Sequence, residues 1–144
     1  MSEQAIKKIL ITGANGFIGG SLMRYYQNQD QDVVGVDLVG NGDDIVEGDI
    51  SQPDSISQLL TESDVIIHTA ALVSNAMQDS DMWRVNVLAT RNLIQSAKEH
   101  KVRRFVQISS IVAYGNTAEG ELDETYPVHA DGGSYVLTKL ASEH

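Results

Sequence analysis

The sequence contains no cysteine, so neither a disulfide framework nor thiolate chemistry is open to it. It has no apolar run of about 18 residues, so no transmembrane helix and no membrane partner are expected. Its opening, MSEQAIKKIL, lacks the apolar core of a secretory signal. Together these absences point to the cytoplasm. Basic residues are scarce: 10 Lys and Arg stand against 20 Asp and Glu, a formal net charge of −10. That balance disfavours nucleic acid, whose phosphates need a basic face, and fits a charge that keeps the protein soluble. The four histidines, His68, His100, His129 and His144, are dispersed. None has a second histidine or a carboxylate at zinc-site spacing, so no metal site is expected.

What is present suits one soluble α/β domain of 144 residues. Short aliphatic runs read as strands at 7–12 (KKILIT), 32–38 (DVVGVDL), 64–70 (DVIIHTA) and 103–110 (RRFVQISS), with a short one at 45–49. Helical patterns lie between them at 16–29, 52–63 and 80–101, and a last one begins at Ser134. In 80–101, Met82, Val85, Ala89 and Leu93 form one stripe. Aliphatic strands without polar alternation, each followed by a helix, predict a parallel sheet covered on both faces. The polar stretch 115–134 is long for a structureless loop and is expected to be functional or partly ordered.

The first strand runs into ITGANGFIGG, with Gly13, Gly16 and Gly19 spaced three apart. A tight turn, close approach of the backbone to a pyrophosphate, and packing of helix on strand each require a residue without Cβ. The helix N-terminus then offers free N–H groups to phosphate. Asp37 ends the second strand, 18 residues after Gly19. A carboxylate there accepts hydrogen bonds from adenosine ribose hydroxyls and repels a 2′-phosphate. No Lys or Arg lies between Asp37 and Asp49 to receive such a phosphate, so NAD is expected in preference to NADP.

The glycine turn and the terminal YVLTK together resemble the extended short-chain dehydrogenase/reductase superfamily, in its NAD-dependent epimerase/dehydratase branch. Tyr-x-x-x-Lys alone is weak, but further motifs fall between the two in family order. GDI (48–50) resembles the adenine contact, implicating Asp49 and Ile50. HTAA (68–71) resembles the turn whose Thr69, Ala70 and Ala71 line the cofactor, and His68 itself reads as a satisfied strand-end residue. VNVLATRNLI (85–94) resembles the helix that places Asn86 near the cofactor, with Ala89 where the family usually has glycine. ISSIVAYG (108–115) resembles the strand end with the catalytic hydroxyl, here Ser110, and DETYP (123–127) the segment before the catalytic tyrosine.

The resemblance implies a Rossmann-type doubly wound parallel sheet over 1–144, truncated before its last strands and before a C-terminal substrate domain. It implies NAD bound by Gly13, Gly16, Phe17, Ile18, Gly19, Asp37, Asp49, Ile50, Thr69, Ala70, Ala71, Asn86, Tyr135 and Lys139. It implies catalysis by Ser110, Tyr135 and Lys139: Tyr135 as acid/base, Lys139 favouring its phenolate and holding the nicotinamide ribose, Ser110 bonding the substrate oxygen. A tyrosine is a poor base near neutral pH, with a reference pKa of about 10, and a cation one helical turn away favours its charged form. The implied substrate is a small molecule, a nucleotide sugar or related hydroxy or keto compound, and the implied assembly is a homodimer through the 80–101 and Tyr–Lys helices. The chain stops within that last helix without a cap, so a longer protein is expected, with the 144-residue piece inactive and unstable alone. A non-catalytic dinucleotide-binding module of the same fold, redox-sensing or regulatory, is the alternative.

Overall fold

A computed structural model describes residues 5–73, 79–115, 120–128 and 132–143. Five parallel strands form one sheet: β1 (Lys8–Thr12), β2 (Asp32–Asp37), β3 (Ile45–Glu47), β4 (Val65–His68) and β5 (Arg104–Gln107), in the order β3-β2-β1-β4-β5. The chain moves outward from β1 through β2 to β3, then returns to the other side of β1 for β4 and β5. The order therefore reverses between β1 and β4, and in open sheets of this kind a crevice opens beyond the strand ends at such a point.

β1 lies at the centre with the apolar run Ile9–Leu10–Ile11 and Thr12 buried along it. Leu10 and Ile11 are both fully buried and point to opposite faces. Leu10 packs with Val34, Val36, Ile66, Ile56, Leu60 and Leu93, under α2 (Ser57–Glu62) and the long helix that precedes β5. Ile9 and Ile11 pack with Met23, Val65 and Ile67 under α1 (Phe17–Gln27). Burying each such aliphatic side chain stabilises the fold by roughly 1.5–3 kcal/mol.

The expected doubly wound sheet is present, with three departures of detail. First, β5 is half open. Its residue Val106 pairs with Ile67, on the α1 face, yet stays 37% exposed. Second, the helix expected at 52–63 begins as a single 3-10 turn, Pro53–Ile56, in which the proline occupies a position where no N–H is needed. Third, the helix expected at 80–101 has three parts: α3 (Asp79–Trp83), a π-helical segment (Arg84–Ala89) and α4 (Thr90–Glu99). Met82, Ala89 and Leu93 are buried along it as the stripe requires, and Val85 packs partly buried against the same core. The widened segment holds Asn86, whose side chain is committed to two other elements. α5 (Ser134–Ala141) then packs against α3 and the π segment. Parts of the polar stretch 115–134, together with His129 and His144, lie outside the described residues.

Candidate active site

The glycine turn is built by close contact. Gly13 has φ +70°, and a Cβ there would stand 2.8 Å from the backbone of Ala70. A Cβ on Gly19 would meet the Gly13 carbonyl at 2.2 Å, so α1 can start this close to β1 only as glycine. Thr69 closes the approach from β4: its hydroxyl donates to the Thr12 carbonyl at 2.7 Å.

Around this turn lies a cleft of about 500 Å³ at the strand ends of the switch point. Gly13, Gly16, Asp37, Asp49, Ile50, Thr69, Ala70 and Ala71 all line it, which brings together eight of the residues expected to hold a dinucleotide. Asp37 is held from two sides: Asn15 N–H donates to Oδ2 at 2.9 Å and Leu38 N–H to Oδ1 at 2.8 Å. The carboxylate thus orients the glycine turn while remaining at the cleft wall. Asp49 Oδ1 accepts from Ser51 N–H at 2.8 Å, fixing the turn that presents Ile50. Phe17 and Ile18 do not line the cleft; they face outward on the first turn of α1, Phe17 at 93% exposure. Gly19 contributes packing against Gly13. Asn86, Tyr135 and Lys139 are not among the residues that line it, though Asn86 bonds the lining residue Leu72.

Lys139 is buried, and its ammonium donates to the Ile108 carbonyl at 2.6 Å. Burial pushes its pKa down, and the Glu143 carboxylate on the next turn opposes that. The bond carries α5 to the end of β5, two residues before Ser110. Ser110 caps the 3-10 turn Ile111–Tyr114 and opens, with Ser109, Tyr114 and Glu143, on a second cavity of about 480 Å³. Ser109 Oγ donates to Glu143. Tyr135 and Lys139 lie four apart on α5, one turn of helix. Among the described residues no hydrogen bond joins the side chains of Ser110, Tyr135 and Lys139 directly.

His68 is 1% exposed, with Nδ1 at 2.6 Å from Thr12 Oγ1 and Nε2 at 2.9 Å from Thr90 Oγ1. Burial first, and the positive charge of Lys139 second, push its pKa down to about 4, so it is neutral at physiological pH. One ring nitrogen then donates and the other accepts, and both are occupied. This is a satisfied strand-end histidine. Asn86 is 2% exposed: Oδ1 accepts from Leu72 N–H at 2.7 Å, and Nδ2 donates to the Leu72 carbonyl at 3.0 Å and to Thr138 Oγ1 at 3.1 Å.

Sequence reasoning gave no role of their own to Thr12, Thr90 and Thr138, whose partners are remote in the chain. It also passed over Arg84, Asp81 and Leu72, which join the cleft wall. Arg84 falls two residues before Asn86 and pairs with Asp81 at 3.4 Å, an exposed contact of little energetic weight. Its place beside Asn86 on an amphipathic helix was the one signal available.

A doubly wound sheet with a glycine-tightened turn, an acid at the end of β2 and a cleft at its switch point defines a dinucleotide-binding domain. Comparison with known proteins names the kind. The profile of the NAD dependent epimerase/dehydratase family matches residues 9–144, and the chain belongs to that family. The low-salt glycan biosynthesis protein Agl12 of Haloferax volcanii is 31% identical, over 94% of this chain and 49% of its own. A dTDP-glucose 4,6-dehydratase of Streptomyces niveus is 29% identical, over 94% of this chain and 47% of its own. Among solved structures, a short-chain dehydrogenase/reductase superfamily protein from Agrobacterium tumefaciens with bound NAD superposes with a TM-score of 0.84 at 31% identity, covering 94% of this chain and 43% of that one. MoeE5 in complex with UDP-glucose and NAD gives 0.84 at 32%, covering 94% and 46%. The chain spans about half the length of the curated relatives it matches.

Proposed function

We propose that this chain is the NAD-binding part of an oxidoreductase that epimerises, dehydrates or oxidises a nucleotide sugar. The observation that carries the reading is the buried Lys139 ammonium, held on the Ile108 carbonyl beside Ser110 and one helical turn from Tyr135. A binding module has no need to bury a lysine there, since burying a charge costs several kcal/mol. The cleft's own geometry supports the cofactor: glycine at 13 and 19 lets α1 start hard against β1 beside the cleft, and Asp37 lines it with no Lys or Arg between Asp37 and Asp49.

Gly13 and Gly16 would approach the pyrophosphate, Asp37 the adenosine ribose, Asp49 and Ile50 the adenine. When bound, nicotinamide supplies a hydride acceptor and donor. The chain's own residues move the proton. Tyr135 takes it from a substrate hydroxyl and returns it, Lys139 favours the phenolate by its charge, and Ser110 donates a hydrogen bond to the substrate oxygen. Relatives and neighbours named for dTDP-glucose and UDP-glucose support a nucleotide sugar as substrate.

The deciding experiment is turnover of the intact protein over a panel of nucleotide sugars, with Tyr135→Phe beside it. The expected result is activity on one or more sugars and a loss of at least about 100-fold in the variant. NAD binding without turnover of any sugar would replace this reading with the non-catalytic module. We propose further that the intact protein is a homodimer through α4 and α5, which leave Ile94 41% and Leu137 43% exposed. A monomer at sedimentation equilibrium would overturn that.

A further inference from the structure

Thr138 precedes Lys139 on α5 and is 1% exposed. A buried, β-branched polar residue is a poor choice inside a helix unless its hydroxyl is used. Thr138 uses it twice. Its hydroxyl donates back to the Tyr135 carbonyl at 2.9 Å, the turn-to-turn bond a helical threonine can make. With its only proton spent, Oγ1 has lone pairs alone to offer, and it accepts an Asn86 Nδ2 proton at 3.1 Å. The other Nδ2 proton goes to the Leu72 carbonyl at 3.0 Å, and Oδ1 takes the Leu72 N–H at 2.7 Å. The donor directions are therefore fixed along the whole chain of bonds. Reversing any one of them leaves a buried group unpaired. Leu72 stands in the wall of the dinucleotide cleft. A continuous hydrogen-bonded line thus runs from that wall, through the π-helical segment, to the helical turn that bears Tyr135.

We infer that Thr138 is a positioning residue, which registers the Tyr135–Lys139 helix against the cleft-lining turn at Leu72. The inference rests on the function proposed above for its catalytic consequence, and on the hydrogen bonds alone for the link itself. Two variants of the intact protein test it. Thr138→Val keeps the shape and removes the hydroxyl, and Thr138→Ser keeps the hydroxyl and removes a methyl.

In Thr138→Val, amide exchange at Leu72 is expected to speed up about three- to tenfold, because both hydrogen bonds of the hydroxyl are lost and Asn86 Nδ2 is left without its acceptor on α5. The kcat on the best nucleotide sugar should fall by about the same factor, with KM for NAD within about twofold. Thr138→Ser should restore both. Unchanged Leu72 exchange in Thr138→Val would overturn the inference, as would equal impairment in the two variants, which marks packing rather than the hydroxyl. A wild type with no turnover would sink the proposed function, and the exchange data would still decide the link.

Discussion

Thr12 and His68 meet at 2.6 Å, Oγ1 to Nδ1, inside the sheet where the last residues of β1 and β4 pair. The pairing ties histidine to the glycine turn, because Thr12 Oγ1 also accepts the Ala70 N–H at 3.3 Å and Gly13 follows at once in sequence. Thr90 holds the other ring nitrogen, so β1, β4 and α4 are pinned at one point.

That pin sets a pH dependence. The folded pKa of His68 is pushed from 6.5 down to about 4. Below pH 6.5 the unfolded chain therefore binds a proton that the folded chain refuses. Stability is fully present above about pH 6.5 and is lost as pH falls toward about 4, by up to roughly 3 kcal/mol. The carboxylates with lowered values, Asp44, Glu62, Asp64 and Asp123, lose their contribution at lower pH still. Urea unfolding of the intact protein between pH 7 and 4.5 should show the slope, and His68→Gln should flatten it. Equal slopes in the two proteins would refute the assignment.

Asp37 should govern the choice of dinucleotide. Its carboxylate is held by the Asn15 and Leu38 amides and stands at the cleft wall. A charge-assisted bond to a ribose hydroxyl contributes about 1.5–3 kcal/mol, so Asp37→Ser should weaken NAD by roughly 10- to 100-fold. Removing the negative charge should also narrow the gap between NAD and NADP. Calorimetric titration with each dinucleotide measures both. An Asp37→Ser protein with unaltered preference would show that the carboxylate serves only the turn.

The parts legible in the sequence were those set by local pattern. β1, β2 and β4 announce themselves as aliphatic runs because both their faces are buried, and the glycine spacing follows from contacts within one turn. That Tyr135 and Lys139 share one helical turn was legible from their spacing, and their proposed role from the family resemblance. The threonines were not. Thr12 lies 56 residues from His68, and Thr138 lies 52 from Asn86, so nothing local marks either pair. The π-helical widening at Arg84–Ala89 was equally hidden, because the apolar stripe reads the same through one wide turn. β5 was legible as a strand, but its polar residues Arg104 and Gln107 flank Phe105 and Val106, and only the packing shows that its Val106 side is open.

Lys139 should separate function from stability. Its ammonium is buried, which is costly, and among the described residues its hydrogen-bond acceptor is the Ile108 carbonyl at 2.6 Å. Lys139→Met fills similar space without a charge. The Ile108 carbonyl then loses its donor, at a cost of about 1–3 kcal/mol, while the cost of desolvating the ammonium disappears. The two changes oppose each other, so the unfolding free energy of the intact protein should move by less than about 2 kcal/mol. On the proposed mechanism turnover has no such compensation: the variant lacks the cation assigned to Tyr135, and kcat should fall at least about 100-fold. Urea unfolding and steady-state kinetics on one preparation test both halves. A variant that unfolds at far lower urea would make Lys139 a structural residue, and one that keeps near-normal turnover would remove it from the catalytic set.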